Sequence, residues 1–297
     1  VTGKPKLPPE TDAFRWLDEA DQTLDVFGEV GVLSLYRDRR PADEAALAAR
    51  LAAEASLTSI YLKRRPREAH GTDAAHQAPA EPIWGPAADR CIVREASAKF
   101  EIRPANGLSV GLYLDSRDAR AWVRKHAEGR RVLNLFAYTC GFGIAARLGK
   151  AARAVNVDLS RKVLDWGEQN HALNGLTVDR RDFIAGDCFD WLARFAKKSE
   201  QFDLVVIDPP SFSNADGRRF RAEIDYPQLV AGASAVLAKG GALLACCNLE
   251  VMTHRRLSTH VESGLKGRPA TQLASFGASS SDFRQPSALK VLAVEVR

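Results

Sequence analysis

The 297-residue sequence lacks most of the signatures that settle a class at a glance. No apolar run approaches the roughly 18–20 residues needed to cross a bilayer, which excludes a membrane-spanning helix. The opening stretch, Val1-Thr-Gly-Lys-Pro-Lys-Leu-Pro-Pro, has no apolar core of a secretory signal, so a soluble protein is expected. Cysteines are few and odd in number: Cys91, Cys140, Cys188, Cys246 and Cys247. None forms a C-x-x-C, which argues against a disulfide framework or zinc site and for reduced thiols in the cytoplasm. The six histidines include no H-x-x-x-H pair, and no metal is expected. Internal repeats and a G-x-G-x-x-G are also missing.

What is present is an uneven charge and an ordered set of strand ends. The net charge is +5, but residues through Leu112 carry 15 Lys+Arg against 17 Asp+Glu, leaving 27 against 20 afterwards. A basic second half suits a polyanion such as nucleic acid, although such an excess also occurs on plain solvated surfaces. Within that half, Val132-Leu-Asn-Leu-Phe136 reads as a buried parallel strand. It breaks into a turn with Gly141 and Gly143 and opens an Ala-rich helix, bringing backbone N–H groups close to a ligand. About twenty residues on, Ala154-Val-Asn-Val-Asp158 ends in an acid suited to the two hydroxyls of a ribose. Phe183-Ile-Ala-Gly-Asp187 ends in another acid, suited to an adenine amine. Phe202-Asp-Leu-Val-Val-Ile-Asp208 then runs into Pro209-Pro210-Ser211-Phe212. Each strand delivers a polar residue at its carboxyl end, where open α/β sheets bind ligands.

Along the chain, residues 1–12 read as a Pro-rich arm, and Ala13–Ala20 as a short helix. Leu24–Phe27 and Val30–Arg37 predict strands joined by a glycine turn, Pro41–Ser56 a helix, and Ser59–Lys63 a strand. A basic run, Lys63–Arg67, leads into an aperiodic Glu68–Trp84 loop. Strand-like segments follow at Cys91–Arg94, Lys99–Ile102 and Leu108–Leu114. This gives a small α+β domain, 1–112, for substrate or RNA binding. From 113 to 297 strands and helices alternate, implying a mostly parallel sheet covered on both faces. Thr271–Phe276 and Lys290–Val296 predict a closing antiparallel hairpin.

Gly111-Leu-Tyr-Leu-Asp-Ser-Arg-Asp118, Leu133–Thr139, Val157–Ser160, Leu173-Asn-Gly-Leu176 and Asp208–Asn214 resemble one group of S-adenosylmethionine-dependent methyltransferases. That group comprises bacterial large-subunit ribosomal RNA methyltransferases, with a guanine-N7 and a cytosine-C5 branch. The resemblance spans about Asn106–Asn248 and implies an α/β fold, a seven-stranded class I methyltransferase (Rossmann-like) sheet preceded by a small α+β domain. It implies S-adenosyl-L-methionine as cofactor and ribosomal RNA, free or in an assembly intermediate, as partner. Carried across by position, Asn134, Phe136, Tyr138, Thr139, Gly141 and Gly143 surround the methionine end of the cofactor. Asp158 and Leu159 hold the ribose, Asp187 and Cys188 the adenine, and Ser116 and Arg117 the methionine carboxylate. Asp208 faces the transferred methyl between Pro209, Pro210 and the base-stacking Phe212. Cys140 stands where these enzymes have Gly, so the turn is expected to need a negative φ there.

The target atom turns on Ala245-Cys-Cys-Asn-Leu249. Cytosine C5 needs a cysteine thiolate added at C6, whereas guanine N7 has an available lone pair and needs only positioning. Aligned through Gly240-Gly241, the cytosine nucleophile falls on Asn248, with Cys247 one residue early and on the opposite face of a strand. The N7 branch ends in Ser-Asn-Asn and retains Asn248, so guanine N7 is favoured over cytosine C5. Arg218, Arg219 and Arg221 are candidate RNA-phosphate contacts beside Phe212. Two other classes remain open: a nicotinamide-dependent oxidoreductase, disfavoured by the missing G-x-G-x-x-G, and a non-catalytic RNA-binding module.

Overall fold

A computed structural model describes residues 5–65, 73–215 and 218–297. Residues 1–4 of the arm, Pro66 and Arg67 of the basic run, the start of the following loop, and the side chains of Asn214, Ala215 and Arg218 lie outside the described residues. The chain forms two compact units, Val1–Leu114 with Ser279–Gln285, and Asp115–Ala278 with Pro286–Arg297.

The first unit holds β1 (Ala13–Asp18), β2 (Gln22–Phe27), β3 (Val30–Leu35), α1 (Pro41–Ala55), β4 (Ser59–Arg64), α2 (Ala74–Gln77), β5 (Cys91–Glu95) and β6 (Ala98–Ile102). Its main sheet runs β1-β2-β3-β4, with β5 and β6 a separate antiparallel pair. Pro41 opens α1, where its missing N–H costs nothing. Leu47, Ala48 and Leu51 then pack on Leu24, Leu33 and Ile60 of the sheet.

Three expectations fail here. Ala13–Asp18 is a strand, because a bulge between Arg15 and Leu17 breaks the alternation. Phe14 and Leu17 are therefore both buried three residues apart, a spacing that imitates a helix. Leu108–Leu114 forms no strand; a 3-10 turn begins at Leu114. The loop before Trp84 contains α2, capped by Asp73, and Trp84 itself pairs with Ile60. The described part of the basic run is also spent internally: Lys63 Nζ donates to Pro104 O, Arg64 grips Glu44, and Arg65 donates to Leu108 O.

The Ser279–Gln285 segment closes this unit. Fully buried Asp282 accepts from Arg15 N at 3.2 Å, Phe283 lies 4.6 Å under the Arg15 guanidinium, and Arg284 N donates to Asp18. Asp282→Ala is expected to strand the Arg15 amide and cost on the order of 3 kcal/mol, measured by urea unfolding.

The second unit holds α3 (Arg117–His126), β7 (Arg131–Leu135), α4 (Gly141–Leu148), β8 (Arg153–Asp158), α5 (Arg161–Leu173), β9 (Phe183–Ala185), α6 (Cys188–Lys197), β10 (Phe202–Ile207), β11 (Phe212–Ala215), β12 (Arg218–Arg221), α7 (Ala222–Ala235), β13 (Leu237–Cys247), α8 (His254–Leu265), β14 (Ala270–Phe276) and β15 (Lys290–Val296). Seven strands order as β14-β15-β13-β10-β7-β8-β9. β13 through β9 are parallel, and β15 and β14 add antiparallel as the tail predicts. Buried Leu, Val and Ile on the central strands reflect helices on both faces. The chain leaves β7 toward β8 and β9, then returns to β7's other side at β10. The carboxyl ends of β7 and β10 thus form the switch point where such sheets take ligands.

Candidate active site

The turn after β7 is bent three times into the left-handed region, at Phe136 (φ 56°), Tyr138 (49°) and Cys140 (65°). Each costs roughly 1–2 kcal/mol in a non-glycine residue. Surrounding bonds hold it: Ala137 N to Val157 O at 3.0 Å, Cys140 N to Ala137 O at 2.8 Å, and Asn170 Nδ2 to Thr139 O at 3.3 Å. The expected negative φ at Cys140 is therefore wrong. The residue caps α4 in a glycine-like conformation, and its side chain fits because α5 carries Gly167 opposite. A Cβ on Gly167 would stand 2.3 Å from Cys140 Sγ.

Gly143 has a similar reason. A Cβ there would stand 2.2 Å from Asn156 Oδ1, which Asn134 Nδ2 holds from the adjacent strand at 3.0 Å. Both asparagines are fully buried. Asn134 thus lies beneath the turn as a support, with Gly141 and Gly143 forming the first residues of the helix above it.

Asp158 ends β8 with both oxygens fixed, Oδ2 accepting from Tyr138 N at 2.8 Å and Oδ1 from Ser160 N at 2.9 Å. Burial raises its pKa, and these backbone donors oppose the rise. Each oxygen has a second lone pair, so the carboxylate can still accept two hydroxyls. Leu159 beside it is half exposed. Asp187 caps α6 through Oδ1, bonding Phe189 N and Asp190 N. Cys188 turns into the core instead, between Phe136 N and Val157 O, with its thiol pKa raised by burial.

Asp208 follows β10, and burial pushes its pKa up to about 7. Asp115 adds to the rise, and Arg120 on α3 opposes it. Ser116 and Arg117 are buried on the same segment as Asp115. Pro209 is buried and Pro210 exposed. Next, Ser211 Oγ donates to Asn248 Oδ1 at 3.3 Å, joining the β10 and β13 tips.

The chain then makes a hairpin that the sequence reading missed, β11 against β12. Its Phe220 is buried against Phe136 and Phe189, with ring centroids 6.2 and 5.8 Å away. Phe212, 46% exposed, has the Arg219 guanidinium 5.1 Å from its centroid, and Arg221 is exposed opposite it in the ladder. The Arg-Phe-Arg alternation of Arg219–Arg221 is the strand signal that the sequence carries. Asp115 and Arg120 were also missed as partners of Asp208; only the former lies within the Gly111–Asp118 motif.

On β13, Cys246 and Cys247 are both buried, and burial raises both thiols. Tyr226 OH donates to Cys246 O at 2.8 Å, while Asn248 at the strand end is exposed. Among the described residues no group of His, Cys, Asp and Glu could hold a metal ion, and no helix is long and apolar enough to cross a membrane.

An acceptor carboxylate at the β8 tip, a second acid at the next tip and an Arg-bearing segment match the chemistry of a ribose, an adenine and an amino-acid carboxylate. Ribosomal RNA large subunit methyltransferase I of Aeromonas salmonicida (strain A449) is 39% identical over 62% of this chain and 43% of its own length. Ribosomal RNA large subunit methyltransferase K/L of Psychrobacter sp. (strain PRwf-1) is 43% identical over 51% of this chain and 19% of its own. The chain therefore spans less than half of either relative. In fold it is similar to SMU.776, solved as a complex with SAH (TM-score 0.88, 23% identity, 97% of this chain and 76% of that one). Residues 12–262 match the S-adenosylmethionine-dependent methyltransferase family, and the chain belongs to that family and uses S-adenosylmethionine.

Proposed function

We propose that the protein methylates a base of large-subunit ribosomal RNA, and that the target atom is guanine N7. The names of the similar curated proteins support the RNA class. The observation that carries the atom is on β13: Cys247 is sealed in the core with its thiol pKa raised, whereas exposed Asn248 meets Ser211 beside Asp208. A thiol that is buried and protonated is a poor nucleophile for cytosine C6. N7 alkylation asks for none.

When bound, S-adenosylmethionine supplies a methyl group already activated on a sulfonium. Asp158 and Leu159 would hold its ribose, Asp187 its adenine, Ser116 and Arg117 its carboxylate, and the Phe136–Gly143 turn its methionine end. Asp208, when ionised, stabilises the positive charge that develops on an N7-alkylated purine. Phe212 offers one ring face to the base while Arg219 takes the other, a stack worth roughly 1–3 kcal/mol.

Cys247→Ala tests the target atom. Turnover of ribosomal RNA is expected to stay within about threefold of wild type, with 7-methylguanosine found by nucleoside mass spectrometry. Loss of turnover with unchanged S-adenosylhomocysteine affinity would assign the enzyme to cytosine C5. Removing the Arg219 and Arg221 charges together is expected to weaken RNA binding. It should also flatten the log K against log salt slope by about one per lost phosphate contact. An unchanged slope would make both arginines plain surface.

A further inference from the structure

The second unit carries a separate cavity of about 430 Å³, lined by Arg147, Arg153, His171, Thr177, Arg181 and Phe183 among others. Arg153 and Phe183 begin β8 and β9, so the cavity lies at the amino ends of strands whose carboxyl ends carry the candidate active site. Two of its cations are already neutralised, Arg153 by Asp182 and Glu200, and Arg181 by Asp179. Arg147 is not. Its Nη1 is anchored on Ala151 O and Ala152 O, and no ion pair to it occurs among the described residues.

The cavity's second unspent group is His171, 98% buried. Its Nδ1 lies 2.8 Å from Gly167 O. A carbonyl only accepts, so Nδ1 carries the proton and Nε2 is left as an acceptor. No partner for Nε2 occurs among the described residues. Burial, reinforced by Arg147, lowers the imidazole pKa to about 4 and keeps this tautomer at neutral pH. An unpaired guanidinium beside a buried neutral acceptor calls for a ligand with one anionic group and one neighbouring hydroxyl donor. The volume suits a single nucleotide.

We infer that this cavity is a ribonucleotide subsite, in which Arg147 holds a phosphate and His171 Nε2 accepts from the ribose 2′-hydroxyl. A phosphate alone would leave His171 without a donor, and a deoxyribose lacks the hydroxyl that distinguishes RNA. The phosphate can belong to a free nucleotide or to an RNA strand.

The test follows the His171 Cε1–H NMR signal, assigned with His171→Gln, in the full chain saturated with S-adenosylhomocysteine to occupy the active site. Adenosine 5′-monophosphate is expected to move the signal saturably, and 2′-deoxyadenosine 5′-monophosphate to bind about five- to tenfold more weakly. Arg147→Lys, which keeps the charge but loses the fork, is expected to weaken binding about tenfold. A five-residue oligoribonucleotide that moves the signal identifies an RNA strand as the source; response to the mononucleotide alone identifies free nucleotide. No shift at millimolar ligand, equal affinity for the two sugars, or an unaffected Arg147→Lys variant overturns the assignment. Methyl transfer is not the readout, so these outcomes leave the guanine-N7 reading untouched.

Discussion

Asp208→Asn is expected to lower methyl transfer about 100-fold while making the protein more stable at neutral pH. The carboxyl starts from an ordinary value of 3.8 and is raised to about 7, chiefly by burial. Folding therefore favours its protonated form. That contribution is complete below pH 3.8 and is lost as pH rises through about 7, so the ionised acid burdens the fold above neutrality. After allowance for its partial exposure, the burden is roughly 2 kcal/mol, which an amide does not carry. Thermal unfolding at pH 8 should show the variant melting higher than wild type; a lower melting temperature contradicts the account. In the native enzyme, kcat/KM for RNA should rise as pH passes through about 7, where the carboxylate needed to oppose purine charge appears. Asp115→Asn removes a like charge and should move that inflection to lower pH.

Gly167→Ala is the second large effect. The added methyl meets Cys140 Sγ at 2.3 Å, inside a fully buried contact, and must push α5 or the turn aside. A loss of about 3 kcal/mol is expected, with S-adenosylhomocysteine affinity falling at least tenfold because the same turn borders Asp158. Cys140→Gly removes the clashing sulfur and the left-handed strain together. The double variant should therefore regain most of the loss, a coupling read from a double-mutant cycle. Additive losses would separate Cys140 from Gly167.

The residues differ in how openly they announce their places. Parallel strands of the second unit were readable because runs such as Leu204–Ile207 are apolar on both faces and end in acids or prolines. Asp158 and Asp187 were readable for the same reason, as polar ends of apolar runs. β1 was not, because its bulge placed Phe14 and Leu17 at helical spacing. The conformation of Cys140 was also hidden, since the space that permits it belongs to Gly167, 27 residues away in sequence. The bond from Asn134 to Asn156 was likewise hidden, because it depends on which strand lies alongside. The raised carboxyl of Asp208 comes chiefly from burial, with Asp115 adding to it and Arg120 opposing it, surroundings that no local pattern encodes.

Ser279–Gln285 gives the chain an order of assembly. Arg15 meets Asp282 and Phe283 across some 267 positions. During synthesis, β1 must wait for the ribosome to pass these 267 further positions before it acquires these contacts. A nascent chain halted before Ser279 would therefore expose Arg15 to water, and protease should cut β1 there while sparing it in the finished protein.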